Sequence, residues 1–484
     1  MGRRLPPALA AILLATIVCA PTQAQCEMAT LSVEEEDADE RFAECVALNA
    51  DVALIGMPGD EHGGQGIGGK GSAFVFQRCG GRWSRVSKLT ASDGEVGDVF
   101  GSSVALTHGL AVIGAISDNT QEPNTGSAYI FECCAGVWSE AAKLIAEDGA
   151  EGDHLGASVA ISGDMAVVGA PDDDAMGFRS GSAYVFERQL DGTWTQFQKL
   201  TASDGAPVDH FGDGVAISGT IIVVGARADD DLGWGSGSAY VFERFLSGLW
   251  FQVAKLRASD GKFLDAFGSS VAVDGNTALI GSPGAHGLGY WEGAAYVFER
   301  ASDGTWSEVA KLFAADGENS DGFGHAVALE GDTALLGAPG DDDHGQCSGS
   351  AYVFVRGQDR TWSQVTKLVP EDGELWDCFG NDVAVSGNIG VIGTYPQDPN
   401  EPPKPGQAYI YAVGPDEDGD GVMDACECPS DVNHDWIVDF LDVLALLEDW
   451  GCTSGDCPGD CDADGDTDQS DLGLLLGNWG QICP

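Results

Sequence analysis

Positive charge is what this sequence most lacks. Only 23 of its 484 residues are Lys or Arg, against 77 Asp or Glu, for a net charge of −54. That balance argues against nucleic acid or an anionic membrane surface as a partner, and favours divalent cations and basic partners. It is no disorder signature, because 43% hydrophobic residues can build a core. Long apolar runs are also scarce, and none is long enough to span a membrane. The opening "MGRRLPPALAAILLATIVCAPTQAQC" sets Arg3 and Arg4 before a short apolar stretch and small residues ending at Ala24. It predicts a secretory signal over residues 1–24, and so a secreted or cell-surface protein, with the periplasm as the alternative. Enzyme signatures of the HExxH or GxSxG kind are missing, which leans the reading to a non-catalytic protein. A catalytic group assembled from distant loops stays open. In an oxidising compartment most of the 14 cysteines are expected to be bridged. Cys79 with Cys134, next to Cys133, and Cys45 with Cys378 mark two regions for a bridge.

What the chain has in abundance is repetition. Phe-Gly recurs at Phe100-Gly101, Phe211-Gly212, Phe267-Gly268, Phe323-Gly324 and Phe379-Gly380, with Leu155-Gly156 and Phe42-Ala43 as variants. The seven copies lie roughly 56 residues apart, a period that indicates a propeller or a solenoid. Each unit reads as four short strands; in the third they are "ASVAIS", "DMAVVGA", "GSAYVFER" and "TWTQFQKL". The third strand appears seven times, the Trp-led fourth only six, at Trp83, Trp138, Trp194, Trp250, Trp306 and Trp362. The missing edge is supplied by the other end of the chain. "MATLSVEEEDADERFAECVA" aligns with "AAKLIAEDGAEGDHLGASVA", placing Thr30-Leu31 at the Lys-Leu position. A mainly β, seven-bladed propeller over residues 25–413, closed by the N-terminal strand, is therefore expected.

With Phe323-Gly324 and Gly337-Ala338-Pro339 as its signatures, this region resembles the bacterial FG-GAP repeats, relatives of the integrin α-chain propeller. The integrin-type calcium loop between the first two strands is replaced by a short link such as "ALEGDTALL", so the resemblance does not imply calcium in the blades. Asp98, Asp153, Asp209, Asp265, Asp321 and Asp377, with Glu40 in the first repeat, stand two residues before the Phe-Gly position. They are expected to cap loop amides rather than gather cations. The Asp triplets of "PDDDAMG", "RADDDLG" and "PGDDDHG" lack alternating ligand spacing and are read as solvated loop tips. The recurring Trp and Tyr are read as packing. Trp234 and Trp291 break the pattern in variable loops and are the candidate ligand-binding residues, for a carbohydrate or peptide.

The tail carries the sharpest chemistry. Residues 414–484 hold 19 acidic residues and no Lys or Arg, in three twelve-residue patterns. Alternating carboxylates of a tight loop converge on one point, as calcium requires. The third pattern offers Asp460, Asp462, Asp464, the carbonyl of Asp466, Asp468 and Asp471; the second offers Asp431, Asn433, Asp435, the carbonyl of Ile437, Asp439 and Asp442. Each is followed by a short amphipathic helix, "FLDVLALLEDWG" and "SDLGLLLGNWG". Residues 429–484 thus resemble a type I dockerin, a small α-helical loop-helix module that docks calcium-loaded onto cohesin domains. Trp436 replaces the turn glycine of the first loop. The positions the resemblance assigns to partner choice are Phe440 and Leu441 in one unit but Gln469 and Ser470 in the other, so two equivalent docking orientations are not implied. In residues 414–428, Asp416, Asp418, Asp420 and Glu427 fit the same calcium loop, and the Cys-Glu-Cys-Pro ending resembles a thrombospondin type 3 repeat. The sequence therefore points to a secreted, non-catalytic scaffold with calcium as its cofactor and a cohesin-like or other extracellular protein as its partner. The alternatives are a carbohydrate-binding or hydrolytic component of polysaccharide degradation and an integrin-like adhesin.

Overall fold

Runs of small and β-branched residues closed by glycine or Asp-Gly turns favour short strands over helices. In the computed structural model, which describes residues 27–33, 41–60, 69–79, 82–286, 291–370, 372–397 and 406–413, they form seven four-stranded antiparallel sheets. Blade 3 is typical: Val159–Ser162 innermost, then Met165–Ala170, Ser182–Arg188 and Trp194–Leu200 at the rim. Its two middle strands are buried on both faces, because each sheet is sandwiched between its neighbours.

The seventh sheet joins the two ends of this region. Asp382–Ser386, Ile389–Gly393 and Ala408–Ala412 are completed by Glu27–Leu31. Thr30 pairs with Tyr409 and Leu31 with Ala408, as Lys199 pairs with Tyr184 and Leu200 with Ala183 in blade 3. The expected closure by the N-terminal strand is met residue for residue. One hydrophobic cluster joins this last sheet to blade 1, packing Leu31, Val391 and Ile410 against Phe42, Ile55 and Phe74. The architecture is a seven-bladed β-propeller.

The Phe-Gly and Gly-Ala-Pro signatures have a common physical reason, the closeness of adjacent blades. Phe323 is fully buried and meets Tyr352 and Phe354 edge-on at 5.3 and 5.9 Å. Gly337 has no room for a side chain, since a Cβ there would lie 1.9 Å from the carbonyl oxygen of Gly380 in the next blade. Gly349 is held at φ +82°, and a Cβ on it would meet the Phe379 carbonyl at 2.2 Å. Hydroxyls and a thiol in or just before the innermost strands stitch the same seam. Ser103, Ser158 and Ser270 donate to Gly156, Gly212 and Gly324 of the next blade at 2.8–3.0 Å. Cys45 does so to Gly101 at 3.0 Å. At the closure Asp382 accepts from the Val46 amide at 2.7 Å. The thiol of Cys45 thus serves the blade seam. Among the described residues all six cysteines are free thiols, so neither expected bridge is formed.

Candidate functional site

Antiparallel order puts the loops joining second to third strands, and those leading from one blade to the next, on the same face of the ring. Among the described residues, this face carries most of the chemistry noted in the sequence.

Its first layer is a charged cluster repeated from blade to blade. In blade 3 the Tyr184 hydroxyl lies 2.8 Å from Asp173 and 3.0 Å from Asp148, and the Lys199 ammonium donates to both carboxylates at 2.7 and 2.8 Å. Asp173 belongs to the loop after the second strand of its own blade, whereas Asp148 leads in from the previous blade. The cluster therefore latches blades together. Asp118, Asp229 and Asp341 do the same with Tyr129–Lys143, Tyr240–Lys255 and Tyr352–Lys367. In blade 5 Ala285 takes the aspartate's place and, among the described residues, Lys311 pairs with Asp260. Asp173, Asp229 and Asp341 are each only 3% exposed. The reading of the Asp triplets as solvated tips is thus corrected for one residue of each. The tyrosine, lysine and serine of the third and fourth strands draw it inward. Burial works against charge on Lys199 and Lys255, but their carboxylate partners outweigh it and raise both above the ordinary lysine range.

The aspartates two residues before Phe-Gly behave as expected. Asp98, Asp153, Asp209, Asp265, Asp321 and Asp377 each accept the amide three residues earlier, at 2.6–2.7 Å. Glu40 lies outside the described residues. Burial pushes Asp153, Asp209 and Asp321 up to about 6, and repulsion from Asp173, Asp229 and Asp341 adds to it against the amide bond.

Blades 3 and 4 add a cluster that the repeat reading did not single out. His154 and His210 converge on one carboxylate, with Nδ1 atoms 2.7 and 3.2 Å from the two oxygens of Asp172. Arg179 approaches Asp172 at 3.5 Å, and Arg227 pairs with Asp213 at 2.8 Å. Two arginines against two carboxylates leave the patch internally compensated. Burial, then Arg227, lowers His210 despite Asp172. Among the described residues, no group of three or more His, Cys, Asp or Glu is arranged to hold a metal ion.

The outermost layer is aromatic. Trp234 is 63% exposed, its ring 5.6 Å from that of Phe263. Trp291, half exposed, sits in the equivalent loop of blade 5 with φ 58°, its carbonyl accepting from the Gly322 amide. Phe178 is equally prominent, at 63% exposed. The sequence reading missed it, although it follows Gly177 as Trp234 follows Gly233, each glycine at φ +133°. Phe178 and Arg179 border an open cleft of about 350 Å³ whose floor is Asp148, Asp153, Asp173 and Lys199. The recurring tryptophans instead pack at blade interfaces, as expected: Trp194 against the core of blades 2 and 3, Trp306 against that of blades 4 and 5.

The tail candidates lie outside the described residues: Asp416, Asp418, Asp420, Glu427, Asp431, Asn433, Asp435, Ile437, Asp439, Asp442, Asp460, Asp462, Asp464, Asp466, Asp468 and Asp471, with Phe440, Leu441, Gln469 and Ser470.

No curated protein matches the chain. The FG-GAP repeat matches six times, at residues 83–131, 138–186, 194–242, 250–298, 306–354 and 362–411, more than half of the sequence. Each match begins at the fourth strand of one blade and ends in the third strand of the next, so the repeat spans the latched seam. A closed ring of seven blades bearing the repeat's signatures at these seams, together with six matches in phase, shows that the chain belongs to the FG-GAP repeat family.

Proposed function

We propose that the protein is an exported, non-catalytic interaction scaffold, its propeller presenting a ligand face and its tail docking it to a cohesin-like partner when calcium is bound. The observation that carries the scaffold reading is a division of labour on the loop face. Acidic and basic groups repeated in the blades are tied into seams, while Phe178, Trp234, Phe263 and Trp291 stand exposed in the loops of blades 3 to 5. Exposed aromatic rings of this kind mark binding surfaces. The overall charge of −54 favours a basic partner over an acidic one.

Support for the tail comes from its sequence: two acidic loops in phase, each followed by an apolar helix pattern. Asp460, Asp462, Asp464, Asp468 and Asp471 form the more complete calcium set; Trp436 at the turn weakens the Asp431 loop. Calorimetric titration of the full chain with calcium tests this directly. Binding that falls on replacing Asp460 and Asp464 by Ala supports the reading, and binding indifferent to those replacements refutes it.

A second reading, a carbohydrate-binding component of polysaccharide degradation, is favoured by the tilted Trp234–Phe263 pair and by the cleft in which Phe178 faces carboxylates and Arg179. Sugars use such combinations of an apolar ring face with nearby polar groups. Glycan binding by the full chain that is lost in Trp234→Ala or Trp291→Ala would select this reading; silence on a broad glycan panel, with no hydrolysis, would remove it.

A further inference from the structure

At one place in five of the blade seams, the residue two before the glycine that opens the third strand faces the residue just before the next Phe-Gly position. A single backbone hydrogen bond joins the two. It runs from the His154 amide to the Asn124 carbonyl at 3.2 Å, His210 to Arg179 at 3.2 Å, Ala266 to Gly235 at 3.0 Å and Gly322 to Trp291 at 3.2 Å. Between blades 6 and 7 the pair is Cys378 and Cys347, with the shortest bond of the set, 2.9 Å. The flanking bonds, Trp376 to Gln346 at 2.8 Å and Phe379 to Ser348 at 3.0 Å, continue the pairing on either side. The pairing is parallel, with Gly349 bridged to Phe379; backbones paired in this way run about 4.8 Å apart, which brings two residues joined by one backbone bond within the reach of a disulfide.

We infer that Cys347 and Cys378 form a disulfide clasp between blades 6 and 7. The Cys378 thiol donates to the Trp376 carbonyl at 3.6 Å, and it turns from there to reach Cys347. Burial, then the neighbouring Cys347 thiol, pushes Cys378 up to about 12; in the corresponding place Arg179 acts on His210. Both cysteines share one backbone conformation, φ 50° and 51°, and both are partly exposed, so a small oxidant reaches them.

The oxidant is a low-molecular-weight disulfide. The Cys347 thiolate attacks one of its sulfurs and expels a thiolate, leaving a mixed disulfide on Cys347. Cys378, deprotonated, then attacks the Cys347 sulfur, forming the Sγ–Sγ bond and expelling the second thiolate. Two electrons pass from the cysteine pair to the external disulfide, which leaves as two thiols carrying the two protons. The raised thiols make the exchange faster at alkaline pH. The clasp encloses residues 348–377, including the outer strand Trp362–Leu368 of blade 6. It braces the flank of blade 7, the blade closed only by hydrogen bonds and packing to the N-terminal strand.

The test is to incubate the full chain with oxidised glutathione or with dithiothreitol, alkylate, digest without reduction and map the peptides by mass spectrometry. The expected result is a linked peptide pair containing Cys347 and Cys378 in the oxidised sample alone. The guanidinium midpoint should rise on oxidation, and the rise should vanish in Cys347→Ser and Cys378→Ser but persist in Cys79→Ser. Recovery of both cysteines alkylated after oxidation, or of Cys378 linked to another cysteine, overturns the clasp. A linked pair with an unchanged midpoint overturns its bracing role.

Discussion

Replacing Asp173 by Ala in blade 3 removes one arm of a seam latch, and the structure sets the size of the effect. Asp173 accepts the Ala175 amide at 2.8 Å and the Ser182 hydroxyl at 3.0 Å, and shares Tyr184 and Lys199 with Asp148. Two hydrogen bonds lost at about 1 kcal/mol each set the base. Breaking a buried ion pair outright costs about 3–5 kcal/mol, but here Lys199 retains Asp148 at 2.7 Å. Blade 5 shows that the arrangement stands with one arm, since Ala285 is already there and Lys311 holds Asp260. The expected loss is therefore about 2–3 kcal/mol, read from urea unfolding followed by tryptophan fluorescence. In a cycle with Lys199→Met the two changes should couple by about 1 kcal/mol or more. A loss in Asp173→Ala below about 0.5 kcal/mol, the size of an ordinary surface change, would show that the latches are incidental surface pairs and refute the reasoning.

Stability should peak on the acid side of neutrality. Asp153, Asp209, Asp213 and Asp321 are pushed up to about 6 and Asp382 to about 7, in each case chiefly by burial. The folded state then binds more protons than the unfolded state between about pH 4 and 7, so stability falls as pH rises through that window. Asp93, Asp118, Asp148, Asp204, Asp260 and Asp316 are instead held low, burial being outweighed by their lysine and other hydrogen-bond partners; what they contribute is lost as pH falls below about 4. The melting temperature should thus be higher near pH 5 than at pH 7.5 and drop steeply below pH 4, and a maximum at pH 7 or above would contradict this. Ala43 sits where other blades have glycine, at φ 67°, so Ala43→Gly should stabilise by about 1 kcal/mol; destabilisation on urea unfolding would show that the position is unstrained. Leu31→Ala, at a side chain only 3% exposed in the closing strand, should cost about 2–4 kcal/mol and speed amide exchange in Ala408–Ala412, whereas unchanged exchange there would deny that the N-terminal strand closes the ring.

The ring was legible in the sequence because its physics repeats. Seven phased Phe-Gly positions counted the blades, and the mismatch between seven third strands and six Trp-led fourth strands located the closing strand at Thr30-Leu31. The structure adds what periodicity cannot show, namely which side chains from different repeats meet. The burial of Asp173 within "PDDD" depends on Tyr184 and Lys199 of its own blade and on Asp148 from the previous one, so three adjacent carboxylates that look equally solvated divide into one buried residue and two nearer solvent. His154 and His210 occupy the same repeat position, yet only the fold brings both onto Asp172. Phe178 was within reach of a strict repeat alignment with Trp234; it passed unnoticed because a phenylalanine in a loop is less conspicuous than a tryptophan. In the sequence Cys45 and Cys378 mark a region for a bridge because both lie near the closure, but no pairing follows from that. The structure turns Cys45 toward Gly101 and sets Cys378 across from Cys347.

The proposed function is a scaffold docked through a calcium-dependent tail. Its most direct test is to immobilise the full chain, pass the same organism's exported proteins over it with calcium or with a chelator, and identify what is retained by mass spectrometry. The expected result is a cohesin-like partner retained with calcium alone, lost in a chain carrying Asp460→Ala and Asp464→Ala, and kept in Trp234→Ala. Retention indifferent to calcium and to the tail replacements, or no retention in either condition, would contradict it.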